Sequence, residues 1–276
     1  MDERKAAIFK FASAAAMALV AYFPTLQWMV DRFEAPESYY GHAYLIPLIS
    51  GYIIWQRRDT LNKAPLSSEW YGLAIVVACL AAHLACAALR VYFVSGFTLV
   101  AVLYGLVLFF LGKETARILT FPLFFLFTMI PLPMVAIAQI TVRLKLFATQ
   151  AAALVLNIIG FICVTDGNVI RMPNSYVVVD TPCSGLRSLI SLLTLGLLFT
   201  YFARISYPRK AILLLSSVPI AIATNIFRIV VVAILNDFFG PEVAMGTFHY
   251  VLGFFVFVFA FGAFLGVAKL LERRSG

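Results

Sequence analysis

An apolar run of about 20 residues leaves a chain few options, because that is the length a helix needs to cross the hydrocarbon core of a bilayer. Here such runs recur along the whole chain, at 7–29, 42–56, 71–90, 92–111, 117–132, 184–203, 211–235 and 248–270. Composition agrees: 63% of the 276 residues are hydrophobic and 12% charged, with a mean hydropathy of +0.97. Soluble domains carry roughly a quarter charged residues. The expected fold is an all-α polytopic membrane protein with about eight transmembrane helices, organised as one domain over 1–276. The net charge of +8 is then no sign of nucleic acid, since basic residues in such proteins mark cytoplasmic loops. At the N-terminus, Arg4 and Lys5 precede an apolar run, and Ala12-Ser13-Ala14 imitates a signal-peptidase site. The run continues to Val30, so an uncleaved first span is expected.

The positive loops set the direction of travel. With the N-terminus in the cytoplasm, Arg57-Arg58…Lys63 and Lys113…Arg117 fall inside, and the fifth span exits near Pro131-Leu132-Pro133. Counting back from the other end, Arg273-Arg274 and Arg204…Arg209-Lys210 are also inside. That puts Cys183 and the 236–247 loop outside. Both ends of 134–162 are then external, so this stretch, which carries Arg143 and Lys145, is expected as an interfacial or re-entrant helix. Between it and Cys183, Gly167 and Pro173-Asn174-Ser175 are turn signals with β-branched flanks. They predict a short external β-hairpin before the cysteine, able to hold an extended peptide. A plain connecting loop is the other reading.

Four cysteines are present. Cys79 and Cys86 lie in an apolar run and read as small apolar filler. No CxxC pair occurs, so neither a zinc site nor a redox dithiol is indicated, and no metal or other cofactor is expected. Cys183 is different. In Asp180-Thr181-Pro182-Cys183-Ser184-Gly185-Leu186-Arg187-Ser188, Thr181 reads as an N-cap and Pro182 as the first helical residue. Cys183 would then occupy the first helical turn, where the macrodipole favours thiolate. Arg187, four residues on, would lie on the same face and lower the thiol pKa further, or else support a nearby loop group.

Two more residues converge on the outer side. Arg228, in Asn225-Ile226-Phe227-Arg228-Ile229, sits inside the seventh span about two turns from Asn236. A charge there is costly unless it faces a polar cavity or a counter-charge. Asn225 shares its face. His249, in Gly246-Thr247-Phe248-His249-Tyr250, opens the eighth span and can take a thiol proton or pair with a thiolate. Structural roles, an arginine pairing within the bundle and an interfacial histidine, are the competing readings. Together Cys183, Arg228 and His249 indicate acyl transfer: thiolate attack on a peptide carbonyl, with a cation stabilising the oxyanion. Arg187, Asn225 and Ser184 are candidate supporting residues.

The run Pro182-Cys183-Ser184-Gly185-Leu186-Arg187-Ser188-Leu189, the Asn225–Ile229 patch and His249 resemble the transmembrane exosortase/archaeosortase family. So do Tyr40-Gly41-His42-Ala43-Tyr44-Leu45-Ile46-Pro47, Trp55-Gln56-Arg57-Arg58, Pro131-Leu132-Pro133 and Asp166-Gly167-Asn168. The resemblance covers nearly the whole chain. It implies a multi-pass cysteine transpeptidase of the inner membrane, acting at the external face. Its substrates would be exported proteins with a C-terminal sorting signal: a short motif such as Pro-Glu-Pro, one transmembrane helix and a basic tail. The resemblance further implies Cys183 as the acyl-thioester nucleophile and Arg228 as proton donor. His249 would be the third member, as transition-state stabiliser or base. Arginine is a poor proton donor, and electrostatic stabilisation by Arg228 is the simpler physical role. The cleaved protein would pass to a surface acceptor. The alternative from another class is a transporter or polysaccharide-export component binding an anionic substrate through Arg187 and Arg228. It lacks the paired broken helices such proteins carry. A different intramembrane hydrolase would show a G-x-S-x-G or H-E-x-x-H pattern, and neither occurs.

Overall fold

The computed structural model describes residues 3–36, 38–180, 184–242 and 247–273, the last segment with backbone only over 247–250. Residues 1–133 and 134–276 form two compact units.

The first unit contains α1 (Glu3–Ala21), α2 (Phe23–Glu34), α3 (Leu45–Gln56), α4 (Arg58–Lys63), α5 (Trp70–Ala88), α6 (Tyr92–Phe110) and α7 (Lys113–Phe125), the last running into a 3-10 turn at Leu126–Met129. The expected first span is not straight: α1 and α2 meet at 65° around Tyr22. Pro24 in the first turn of α2 has no N–H to continue the helical ladder, so the chain turns there. α5 and α6 pack as a hairpin whose backbones touch. A Cβ on Gly72 would lie 2.7 Å from the Gly105 carbonyl, and one on Gly105 would lie 2.9 Å from the Gly72 carbonyl. Small residues at a crossing permit this approach in a bilayer, where packing rather than water expulsion holds helices together.

A buried polar network lies inside this apolar unit. The His83 ring stacks on Tyr22 with centroids 3.7 Å apart. Its Nε2 lies 3.2 Å from the Ala21 carbonyl, and its Nδ1 lies 2.7 Å from Ser95 Oγ, which is 2.6 Å from Thr25 Oγ1. A carbonyl only accepts, so Nε2 carries the proton. Nδ1 then accepts from Ser95, and Thr25 donates to Ser95. His83 thus bonds the carbonyl at the end of α1, where the bend interrupts the helix. In the loop before α3, the Tyr40 hydroxyl accepts the Leu132 N–H at 3.0 Å.

The second unit contains α8 (Met134–Ile158), strands β1 (Val164–Asp166), β2 (Val169–Arg171) and β3 (Tyr176–Val178), then α9 (Leu186–Phe202), α10 (Tyr207–Phe239) and α11 (Thr247–Arg273). The strands form an antiparallel sheet in the order β1-β2-β3, with Val164 opposite Arg171 and Val169 opposite Val178. Where a hairpin was expected there are three strands. The sheet buries Ile170, Val177 and Val179 against Ala152 and Leu156 of α8 and Ile229 and Ala233 of α10. Asn236 Nδ2 donates to the Tyr176 carbonyl at 3.1 Å, and Ser175 donates to Asp237 at 2.7 Å. These bonds tie the sheet to the C-terminal end of α10. Further along, Leu192, Leu213, Ala221, Ala260 and Phe264 join α9, α10 and α11.

Among the described residues four helices are long and apolar enough to cross a membrane, or up to six if each of two bent pairs is one span. The pairs are α1 with α2 and α7 with α8, while α3 and α9 are apolar but shorter. The expected count of eight is therefore higher than length and composition support, because some apolar runs are broken or end early as helices. The chain is a multi-pass helical membrane protein with a small antiparallel sheet.

Candidate active site

The segment leading to Cys183 leaves the sheet at Val179, which is fully buried. Its N–H donates to the Asn168 carbonyl at 2.8 Å, and its carbonyl accepts Asn168 Nδ2 at 2.9 Å. The Asp180 carboxylate follows, 4.0 Å from Lys145 Nζ on α8. Asp180 is largely exposed, so solvent screening leaves this pair little energetic weight. Thr181, Pro182 and Cys183 lie outside the described residues.

The chain re-enters at Ser184, and the expected start of the next helix is corrected here. α9 begins at Leu186, with Gly185 rather than Thr181 as its N-cap. Gly185 has φ +77, in the left-handed region that favours glycine. An added Cβ would lie 2.8 Å from Asn225 Cγ and 3.0 Å from Asn225 Nδ2. Close approach of the buried Asn225 amide thus coincides with a backbone that a right-handed helix cannot contain. Cys183 precedes this cap by two residues and lies outside the described residues. The expected one-turn relation between Cys183 and Arg187 likewise falls on a residue outside the described ones. Arg187 is exposed in the first turn of α9 and forms no salt bridge among the described residues. Ser184 is buried, and its hydroxyl accepts the Leu186 N–H at 3.4 Å.

α10 carries the next two candidates. Asn225 is 4% exposed and packs on Gly185. Arg228, three residues on and partly buried, extends towards α11: a Cβ on Gly253 would lie 3.6 Å from its Nη1. His249 occupies the first turn of α11, one turn before Gly253 on the same face. Its side chain lies outside the described residues. α10 thus contacts the residue two past Cys183 at one level and the residue four past His249 at the next. A cavity of about 10 Å³, room for one water-sized group, opens beside Ser184 and Asn225 between Leu144 and Phe147 of α8 and Leu189 of α9.

The remaining cysteine of this unit has a structural setting. Asn157 Nδ2 donates to the Cys163 carbonyl and Asn157 Oδ1 accepts the Cys163 N–H, both at 3.1 Å. Burial pushes the Cys163 thiol above its usual range, which keeps it protonated and unreactive. Among the described residues no group of three His, Cys, Asp or Glu side chains is arranged to hold a metal ion.

Sequence reasoning gave no individual role to Asn168, Gly253 or His83. Asn168 had a usable signal, a Gly-Asn pair between β-branched residues, which marks a two-residue hairpin turn. Gly253 could have been found by stepping one helical turn from His249. His83 had none beyond being a histidine in an apolar helix.

A family model described as transmembrane exosortase matches residues 28–266. No curated protein and no solved structure matches the chain. With a match over most of its 276 residues, the chain belongs to the transmembrane exosortase family.

Proposed function

We propose that this protein is a membrane-embedded cysteine transpeptidase that cleaves C-terminal sorting signals of exported proteins and transfers the cleaved protein to a surface acceptor. One observation supports this reading beyond family membership. Asn225 touches Gly185, two residues past Cys183, while Arg228 on the same helix approaches Gly253, one turn past His249. A single helix therefore links the neighbourhoods of all three chemical groups.

In the proposed reaction the Cys183 thiolate attacks the carbonyl carbon of the scissile peptide. The C–N bond breaks, and the leaving amine takes a proton from the imidazolium of His249. Arg228 stabilises the negative charge on the tetrahedral oxygen, a role that needs no proton to leave the guanidinium. The acyl group stays on sulfur as a thioester until the amine or hydroxyl of an acceptor attacks it, passes its proton to the now neutral His249 and releases the thiolate. The substrate's own transmembrane helix would enter laterally and raise the local concentration of its cleavage site.

The proposed arrangement is a single domain in the inner membrane with both termini cytoplasmic and the active site outside. The eight crossings are proposed by counting the shorter apolar α3 and α9 as spans alongside the four long helices and the two bent pairs. The test is Cys183→Ala in cells expressing a substrate with a motif, apolar helix and basic tail. The variant should accumulate at the wild-type level while the substrate remains full length. Normal substrate processing in that variant would remove the thiol mechanism.

A further inference from the structure

We infer that Asn168 is a positioning residue for the nucleophile, an inference that rests on the transpeptidase reading above. Gly167 and Asn168 form the two-residue turn between β1 and β2, with Gly167 at φ +61. Glycine at the first central position suits the tight hairpin turns whose twist matches that of the strands. Since Val169 pairs with Val178, Asn168 stands opposite Val179, one step beyond the end of β3. Here one residue engages both backbone groups of its partner. Any residue could accept the Val179 N–H through its carbonyl. The second bond, from Nδ2 to the Val179 carbonyl at 2.9 Å, needs a side-chain donor of asparagine's length.

The location gives this clamp its consequence. Val179 is fully buried, so its carbonyl has no water to fall back on. Four residue steps separate it from Cys183, a reach of at most about 14 Å. Tyr176 is held to α10 by Asn236, and Ser175 by Asp237. On the far side of the cysteine, Gly185 is packed on Asn225. Asn168 thus holds the end of the sheet at Val179, four residues before the nucleophile, and Asp180 next to it pairs with Lys145 of α8. Without its amide the buried Val179 carbonyl loses its partner, and the end of the sheet that leads to Cys183 is held by one bond in place of two. Displacing a reacting group by about 1 Å can cost on the order of 100-fold in rate.

The test uses the full-length chain with Cys79, Cys86 and Cys163 replaced by alanine, so that Cys183 is the one thiol. Four quantities are measured for Asn168→Ala and Asn168→Gln: kcat and KM on a membrane-anchored substrate, the pH profile of Cys183 alkylation by iodoacetamide, and the thermal unfolding midpoint. Asn168→Ala is expected to lose about 10- to 100-fold in kcat with KM little changed, and to displace the alkylation profile. Asn168→Gln, which keeps the amide on a longer arm, should recover part of both. Wild-type kcat and an unchanged alkylation profile in Asn168→Ala would overturn the inference. So would a loss that merely tracks the folded fraction, or failure of both variants to fold. If Cys183→Ala retains activity, it is the transpeptidase reading that fails, while the alkylation profile still reports whether Asn168 positions the thiol.

Discussion

Gly185→Ala perturbs the point where α10 meets the nucleophile segment. Two costs add. An alanine at φ +77 occupies the left-handed region, at about 1–2 kcal/mol. Its Cβ would also stand 2.8 Å from Asn225 Cγ, well inside ordinary contact. Asn225 is 4% exposed, so the atom it meets is the centre of a confined amide rather than a free side-chain end. Overpacking of this kind costs about 1–3 kcal/mol, for a total of roughly 2–5 kcal/mol. The assay is equilibrium unfolding in detergent, run with substrate processing, on Gly185→Ala, Asn225→Ala and the double variant. Asn225→Ala removes the clash but leaves the backbone strain. The double variant should therefore be more stable than the sum of the singles predicts, by about 1–3 kcal/mol, the overpacking share. Strict additivity would refute the contact. Wild-type stability of Gly185→Ala alone would refute both the strain and the clash.

Three further outcomes follow from the first unit. His83→Phe keeps a ring against Tyr22 but leaves the Ala21 carbonyl and Ser95 without their partner, at about 1–3 kcal/mol. Unfolding measurements should register that loss, with activity per folded molecule retained. Tyr40→Phe removes the acceptor of the Leu132 N–H and should cost about 1 kcal/mol in the same assay. Burial raises the Tyr40 phenol above its usual 10.0, opposed by the Leu132 bond. Stability from this group is therefore complete below pH 10.0 and is lost as the pH rises through the higher folded value. A pH–stability curve should show a fall above pH 10.0 that Tyr40→Phe reduces.

The apolar runs were legible as helices because burial in lipid demands length and hydropathy, both of which are local properties. The start of α9 was not. Thr181-Pro182 satisfies every local rule for a helix start, yet the cap falls at Gly185, where a side chain 40 residues away in sequence meets the backbone. The turn residues Gly167 and Pro173-Asn174-Ser175 announced strands, but the Asn168 clamp on Val179 depends on hairpin register, which no single turn signal specifies. The bend at Tyr22 had a cue in Pro24. The His83 network that meets the open end of α1 there required knowing that α5 lies beside it.

The account's central claim is an acyl group carried on Cys183. The direct measurement is to incubate the enzyme in membranes with a tagged substrate and look for a covalent enzyme–substrate species that neutral hydroxylamine releases. The account predicts that species in the wild-type protein, mapped by mass spectrometry to Cys183 and absent from Cys183→Ala. Cleavage and transfer by the Cys183→Ala protein, or a hydroxylamine-sensitive adduct mapped to any other residue, would contradict it.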